Sequence, residues 1–321
     1  MIKPVVLLSD PLTQNPSIAG GKGSALARMI DAGLPVPDGF VVTSQALHAS
    51  TPPNIQELLA PLESASTTDF DTINQVSGLV RDAMHGVELE SDLLDAISVA
   101  HRQLQSDAVS VRSSATAEDM ADASFAGQYE TFLNILNFDN VVLRIRDVWA
   151  SLHSPRAIAY RIQAGLDHEA VRMAVVIQNQ LQPDASGVLF TRDPVTGTHR
   201  FVASASLGLG EGVVAGETPA DQFQIDPDTG IATSTQIVSK DAKVVSVPSG
   251  GIERVEVPDS DRLQPTLSAL QIQELSEMAR SLEDLFGGPQ DIEFAVADNT
   301  VHLLQSRPIT TLDTSDNVDW E

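Results

Sequence analysis

An α+β fold is predicted by three observations: helix-patterned text fills residues 52–105, short strand-like segments dominate beyond residue 171, and a hairpin-like pair of strands comes near the end. At 321 residues the chain exceeds what one hydrophobic core usually fills, so two domain-sized cores or one large two-lobed unit are expected.

The elements follow in order. Gly20-Gly21-Lys22-Gly23 leads into SALARMIDAG, where Leu26, Ala27, Met29 and Ile30 recur at helical spacing before Gly33 and Pro35 stop the helix; this reads as a loop feeding a helix N-terminus. IQELLAPLE, DTINQVSGLVRDAMHG and DLLDAISVAHRQL read as a helical cap over the core, without evident chemistry. VSVRSSATAEDMADASFAGQYETFLNI is small and polar in the middle and apolar at both ends, the pattern of strand, long loop, strand. One helix is expected from about Asn140 to Gln163. RMAVVIQNQL, SGVLFT, HRFVASAS, DQFQID, ATSTQIVS and KVVSV then read as short strands. A helix with Leu267, Leu270, Leu275, Met278, Leu282 and Leu285 on one stripe ends at Gly287-Gly288, and DIEFAV and VHLLQS flank Asp298-Asn299 as a hairpin. Residues 313–321 read as an acidic, frayed tail.

Composition excludes several functions. Without cysteine there is no disulfide framework, thiolate metal site or cysteine nucleophile, so a metal must sit on oxygen or imidazole. A formal charge of −25 opposes a nucleic-acid backbone or an anionic membrane as principal partner. No apolar run approaches the roughly 18 to 20 residues that cross a bilayer, and MIKPVVLLSDP is broken before a signal sequence develops; the chain reads as soluble and cytoplasmic. A nucleotide stays compatible with this charge if the few cations are concentrated locally. Lys3, Lys22, Lys240 and Lys243 are the only lysines, and Lys22 lies inside the glycine cluster.

Three groups of residues could carry chemistry. Gly20, Gly21 and Lys22 could cradle phosphate through backbone N–H groups, a helix N-terminus and an ammonium charge; alone they read equally as a glycine turn before a helix. The cluster is not a Walker A loop, because Gly23 follows the lysine and Pro16 stands at the earlier glycine site. Arg112 ends an apolar strand among Ser113, Ser114 and Thr116, a composition suited to bidentate phosphate contact under a mobile lid, or to a plain surface loop. Glu118, Asp119 and Asp122 read as solvated loop carboxylates or as metal helpers. Finally, a three-residue turn at Asp298, Asn299 and Thr300 sets Glu293 directly opposite Gln305, with Arg307 next on that face and Ile292, Phe294 and Leu304 on the other. A carboxylate, an amide oxygen and a guanidinium together fit Mg²⁺ and triphosphate. A two-residue turn would lose the directly opposed pair. The seven histidines form no i, i+4 metal pair.

GGKGSALARMIDAGLPVPDGFVVT, VRSSATAEDMADASFAGQYETFLNI, SPRAIAYR, MAVVIQNQL, SGVLFTRDPVTG, GLGEGVVAGETPADQF, QDIEFAV and LLQSRPIT, in this order, resemble the ATP-binding domain shared by phosphoenolpyruvate synthase, pyruvate phosphate dikinase and rifampicin phosphotransferase. The resemblance covers residues 15–310. It implies an ATP-grasp-like fold, two lobes with ATP in the cleft between them: an N-terminal lobe over residues 1–182, a C-terminal lobe over 183–312, and the tail. It further implies that Lys22 and Arg112 hold phosphates, that Ser113, Ser114, Thr116 and Glu211 line the ATP site, and that Glu293 and Gln305 ligate Mg²⁺. By the same resemblance Arg307 contacts the transferring groups, while Gln178, Gln180 and Leu181 form the adenine hinge. Gln180 departs from the family, which often has Met there.

Family members also carry a swivelling domain with a phosphorylatable histidine in a Thr-Ser-His type context, and these 321 residues contain no such context. The resemblance therefore implies cleavage of ATP to AMP and phosphate with transfer to a histidine of a separate partner protein, as in phenylphosphate synthase-like split enzymes. A phenolic compound or pyruvate would be the small-molecule final acceptor, bound by the partner. The start at Met1 and the acidic end favour a natural subunit over a fragment. The competing reading is a catalytically idle ATP-sensing module. The loop at residues 113–127, poor in apolar anchors, is expected to be a lid that settles when Mg-ATP arrives.

Overall fold

A computed structural model describes residues 3–309 apart from 116–118, 121–122, 125–128, 169–170, 215 and 217. The chain forms two compact units: Met1–Arg28, Asp38–Gln180 and Ser249–Gly251 make the first, and Met29–Pro37, Leu181–Pro248 and Ile252–Glu321 the second. The mixture of helix and sheet is the predicted α+β class. Among the described residues no helix is long and apolar enough to cross a membrane.

The first unit runs β1 (Val5–Leu7), α1 (Pro16–Asp31), β2 (Gly39–Val42), α2 (Ser44–Ala49), α3 (Ile55–Leu59), α4 (Phe70–His85), α5 (Ser91–Gln103) and β3 (Val109–Ala115). Two short strands, β4 (Asp119–Met120) and β5 (Ala123–Ser124), precede β6 (Thr131–Ile135), α6 (Phe138–Ser151), α7 (Pro155–Ala164) and β7 (Met173–Asn179). Its sheet has the order β1-β2-β7-β3-β6 with every neighbour antiparallel. Alternation then separates two faces. Phe40, Val42, Val109, Val111, Val175 and Ile177 share a core with Val76, Val80, Ile97, Ile145 and Trp149 of the helices. This is the helical cap that the sequence predicts.

Arg112 pairs with Val176, Ser114 with Ala174 and Ser110 with Gln178, so Arg112, Ser114 and Gln178 share the opposite face. Helix α1 lies on that face, where a Cβ on Gly23 would come within 3.3 Å of Val41 and 3.5 Å of Val176. Glycine at 23 lets the helix sit close to the sheet.

Two sequence expectations are corrected here. The single helix expected near Asn140–Gln163 is two helices, because Pro155 has no N–H to continue the ladder and Ser154 caps α7 by accepting from the Ala157 N–H at 3.3 Å. The loop expected from Ser113 begins later, since residues 113–115 pair with Val175, Ala174 and Met173 as the end of β3. Thr116, Glu118, Asp122 and most of the expected lid lie outside the described residues.

The second unit contains β8 (Ala185–Phe190), β9 (Phe201–Leu207), α8 (Glu211–Val214), β10 (Asp221–Ile225), β11 (Ala232–Gln236), β12 (Ala242–Ser246) and β13 (Ile252–Glu256). It ends with α9 (Ala269–Phe286), β14 (Gln290–Ala297) and β15 (Thr300–Pro308). The six-stranded sheet has the order β11-β10-β9-β8-β14-β15. Leu189, Phe201, Phe223, Ile292, Phe294 and Leu303 are buried on one of its faces, and α9 packs against β14 and β15. A capping box between Ser268 and Gln271 starts α9, and Gly287 at φ 77° ends it. Leu270, expected on the apolar stripe, is exposed.

A buried ion pair ties the far side of this unit. Lys240 Nζ donates to Asp221 Oδ1 at 2.8 Å and to the Val238 carbonyl at 3.0 Å, while Asp221 also accepts from the Val238 and Thr266 N–H groups. These additional hydrogen bonds to both partners are what make such a pair tolerable in a core.

Candidate functional site

Each unit carries its own set of expected site residues. In the first, the glycine cluster is not a loop ahead of a helix but a break within one. Helix α1 already begins at Pro16, and Gly20 alone leaves it, at φ 71° and ψ 175°. Such a backbone suits glycine, and a Cβ there would stand 2.0 Å from the Ser114 carbonyl oxygen. Past the break the helix has a second N-terminus, whose first N–H groups need acceptors from outside the helix. Ser114 closes the gap: its Oγ accepts from the Gly23 N–H at 3.0 Å and donates to the Ala19 carbonyl at 2.6 Å. Its hydroxyl is thus engaged in joining α1 to β3.

Lys22, immediately after the break, is buried and donates from Nζ to the Ser113 carbonyl at 2.8 Å. The ammonium is thereby tied to β3 next to Arg112, the middle residue of that strand, although Lys22 and Arg112 are 90 residues apart. Ser113 supplies its backbone carbonyl here, and its side chain is buried on the other side of the strand.

The three expected hinge residues are placed around the end of β7. Gln178 is buried on the Arg112 face, and its carbonyl accepts from Ser110 Oγ at 3.5 Å. Gln180 donates its backbone N–H to the Ala108 carbonyl, and its side-chain Oε1 accepts from the Asn134 N–H at 3.3 Å. Asn134 has φ 55°, beside a register shift in β6. The Gln180 side chain therefore ties the end of β7 to the β6 backbone. Leu181, half-buried, begins the next segment of the second unit.

In the second unit Glu293 stands directly opposite Gln305, as expected, but for a different reason. The turn has two residues, Asp298 and Asn299, both left-handed at φ 50° and 60°, as a type I′ hairpin requires. Near the turn Phe294 pairs with Leu303 and Ala295 with His302; a bulge at Leu304 then inserts one residue and restores Glu293 against Gln305. The residue expected to point into the core, Leu304, is the extra one and is only half-buried. Leu303 and Val301 fill the core instead.

Asp291, two residues before Glu293 and on the same face, is a site residue that the sequence reading missed. It pairs with Arg307, whose Nε and Nη2 stand 2.8 and 2.6 Å from the single oxygen Oδ2. Burial pushes the Asp291 carboxyl above its usual range, Arg307 opposes that shift, and the Glu293 charge adds to it. Arg307 is thereby held by its own sheet. The period-two spacing of Asp291 and Glu293 in DIEFAV was the available signal.

Two more hydroxyls lie on this face without any sequence signal. Ser186 pairs with Ala295 on one side and Ser206 on the other. Both side chains are buried, and neither hydroxyl has a hydrogen-bond partner among the described residues. Glu211, expected in the ATP site, is the first residue of α8 and is exposed.

The cations of the first unit and the oxygens of the second are groups of the kind that meet anions and hard cations. Glu293 and Gln305 offer two cross-strand oxygens, enough for a hard cation that completes its shell with phosphate and water. Among the described residues no cluster of three or more His, Asp or Glu could hold a metal by itself.

Residues 16–320 match the family described as pyruvate phosphate dikinase, AMP/ATP-binding domain. The chain is 39% identical over 302 residues to a rifampicin phosphotransferase of Bacillus cereus, a match covering 92% of this chain and 34% of that protein. It is 38% identical over 320 residues to a probable phosphoenolpyruvate synthase of Methanothermobacter thermautotrophicus, covering 97% of this chain and 47% of that protein. A probable phosphoenolpyruvate synthase of Methanocaldococcus jannaschii is 37% identical over 323 residues, 97% of this chain and 27% of that protein. The chain thus spans between about a quarter and a half of the length of these relatives.

Proposed function

Since this chain belongs to the pyruvate phosphate dikinase AMP/ATP-binding domain family, we propose that it binds Mg-ATP and phosphorylates a histidine on a separate polypeptide. In this reading the fold is ATP-grasp-like, with both units serving one nucleotide. The histidine nitrogen attacks the β-phosphorus, the bond from the β-phosphorus to the oxygen bridging it to the α-phosphorus breaks, and AMP leaves with that oxygen. Water then removes the terminal phosphoryl group as phosphate and leaves phosphohistidine, which passes its phosphoryl group to a phenolic compound or pyruvate bound by the partner.

Lys22 and Arg112 neutralise the phosphates, and Arg307, held by Asp291, faces the charge that develops during transfer. Glu293 and Gln305 would hold Mg²⁺, which when bound would supply positive charge against the phosphates. Gln178 and the backbone at Gln180 and Leu181 take the adenine. The observation that carries the reading is the Glu293–Gln305 pair with Arg307 two residues on.

Calorimetric titration tests the nucleotide half of this reading. Saturable ATP binding that requires Mg²⁺ and weakens at least about tenfold in Glu293→Gln, near 1.4 kcal/mol, is expected. Absence of ATP binding by the unaltered chain would overturn it.

A further inference from the structure

On the helix-covered side of the first unit, away from the Lys22 and Arg112 face, a cavity of about 350 Å³ opens between α2, α3, α4 and the segment around α7. That volume lies in the range of small-molecule sites. Leu59, Met84 and Leu152 form a buried apolar floor, and Val171 lines one wall. Five nitrogen-bearing side chains complete it: Arg172, His48 and Gln56, all exposed, His168, half-buried, and His153, buried.

The hydrogen bonds fix what these groups present. A guanidinium can only donate, so in the Arg172 Nη1 to His48 Nδ1 contact of 2.7 Å the imidazole accepts, and the neutral ring carries its proton on Nε2. Arg161, buried behind the cavity, does the same to His168: its Nε donates to His168 Nδ1 at 3.0 Å. Burial first, and then Arg161, hold His168 neutral down to a pKa of about 4. His153 is neutral as well, pushed to about 3 by burial, Arg161 and His168. Its Nδ1 is buried with no hydrogen-bond partner among the described residues, and a buried nitrogen of this kind calls for one.

The described lining residues therefore offer a guanidinium, three imidazoles and the Gln56 amide, with no carboxylate among them. In a chain of net charge −25 that local polarity is a reversal. Asp167 is the acidic group that acts on His168, and it is exposed. Donors around an apolar floor match an anion carried on an apolar body.

We infer that this cavity is a binding site for a small carboxylate whose body is the size of a phenyl ring or a branched alkyl chain. Its carboxylate meets Arg172 and the imidazole N–H groups, and its body covers Leu59, Met84 and Leu152. The inference does not depend on the phosphotransfer reading, because no residue of that site takes part.

Titration of the full chain, followed by calorimetry and ligand-observed NMR, uses benzoate and 4-methylpentanoate as probes and neutral benzamide as the isostere. Saturable binding of at least one carboxylate is expected, with benzamide about tenfold weaker or worse. Arg172→Met should weaken the carboxylate by about tenfold, and Val171→Trp should abolish binding by filling the wall. Arg172 is exposed, so its variant keeps the test available even where Val171→Trp does not fold. Failure of both carboxylates to bind saturably, equal binding of benzamide, or unchanged affinity in Arg172→Met would each overturn the inference.

Discussion

The hydroxyl of Ser114 closes a helix that Gly20 opens, and both residues were legible only as members of small-residue runs. From sequence Ser114 read as a phosphate contact, whereas its Oγ bonds the Gly23 N–H and the Ala19 carbonyl. Removing it strands two buried backbone groups, so Ser114→Ala should lose about 1–3 kcal/mol of stability, read as a lowered thermal midpoint. An unchanged midpoint would contradict the role. Arg307 allows a sharper test, because burial raises the Asp291 pKa while Arg307 lowers it. An acid whose folded pKa lies above its unfolded value binds more protons when folded, so its stability contribution falls as pH rises through that interval. In Arg307→Met the opposing charge is gone and the Asp291 pKa rises further. The variant should therefore lose more stability relative to the unaltered chain at about pH 8 than at about pH 4, measured by urea unfolding. A difference independent of pH would show that the pair is only a surface contact.

At the scale of elements, the hairpin shows how a correct pairing was reached through an incorrect turn. A three-residue turn was expected to put Glu293 against Gln305; the chain uses Asp298-Asn299 as a two-residue turn and recovers the pairing with a bulge at Leu304. Hydrophobic alternation cannot distinguish these solutions, since both place Glu293 and Gln305 on one face. The turn predicts its own improvement. Asn299 sits at φ 60°, so Asn299→Gly should add about 0.5–1 kcal/mol of stability without changing ATP affinity, checked by thermal unfolding and calorimetry. Destabilisation would argue against the left-handed turn. Elsewhere, periodicity found α4, α5 and most strands, but not the break before Pro155, which Ser154 and the proline together signal in SPRAIAYR. The strand β2 went unassigned because four consecutive apolar residues, GFVV with its glycine, show no alternation when both faces are buried. Asp291 lies on the Glu293 face by the same alternation, and its partner Arg307 is fixed only by the pairing of β14 with β15.

Across the whole molecule, charge scarcity organises the account. Of four lysines Lys240 is locked to Asp221 in the core, whereas Lys22 is tied to the Ser113 carbonyl, next to Arg112 in β3. Eight sequence strings in family order made the family legible, and 38% identity over 320 residues to one relative agrees with it. The two-unit division was legible in outline only, because the chain enters the second unit at Met29–Pro37 and returns to the first at Ser249–Gly251. Such interleaving follows from tertiary contacts that no local pattern records. The central claim is transfer in trans, and the most direct measurement is incubation of the chain with β-labelled ATP, Mg²⁺ and a candidate histidine-bearing polypeptide encoded beside it. The account predicts label on the partner histidine together with stoichiometric AMP, at rates reduced about 10²- to 10³-fold by Lys22→Ala or Arg112→Ala. Label-free partner and no AMP, from a chain that binds Mg-ATP, would contradict it.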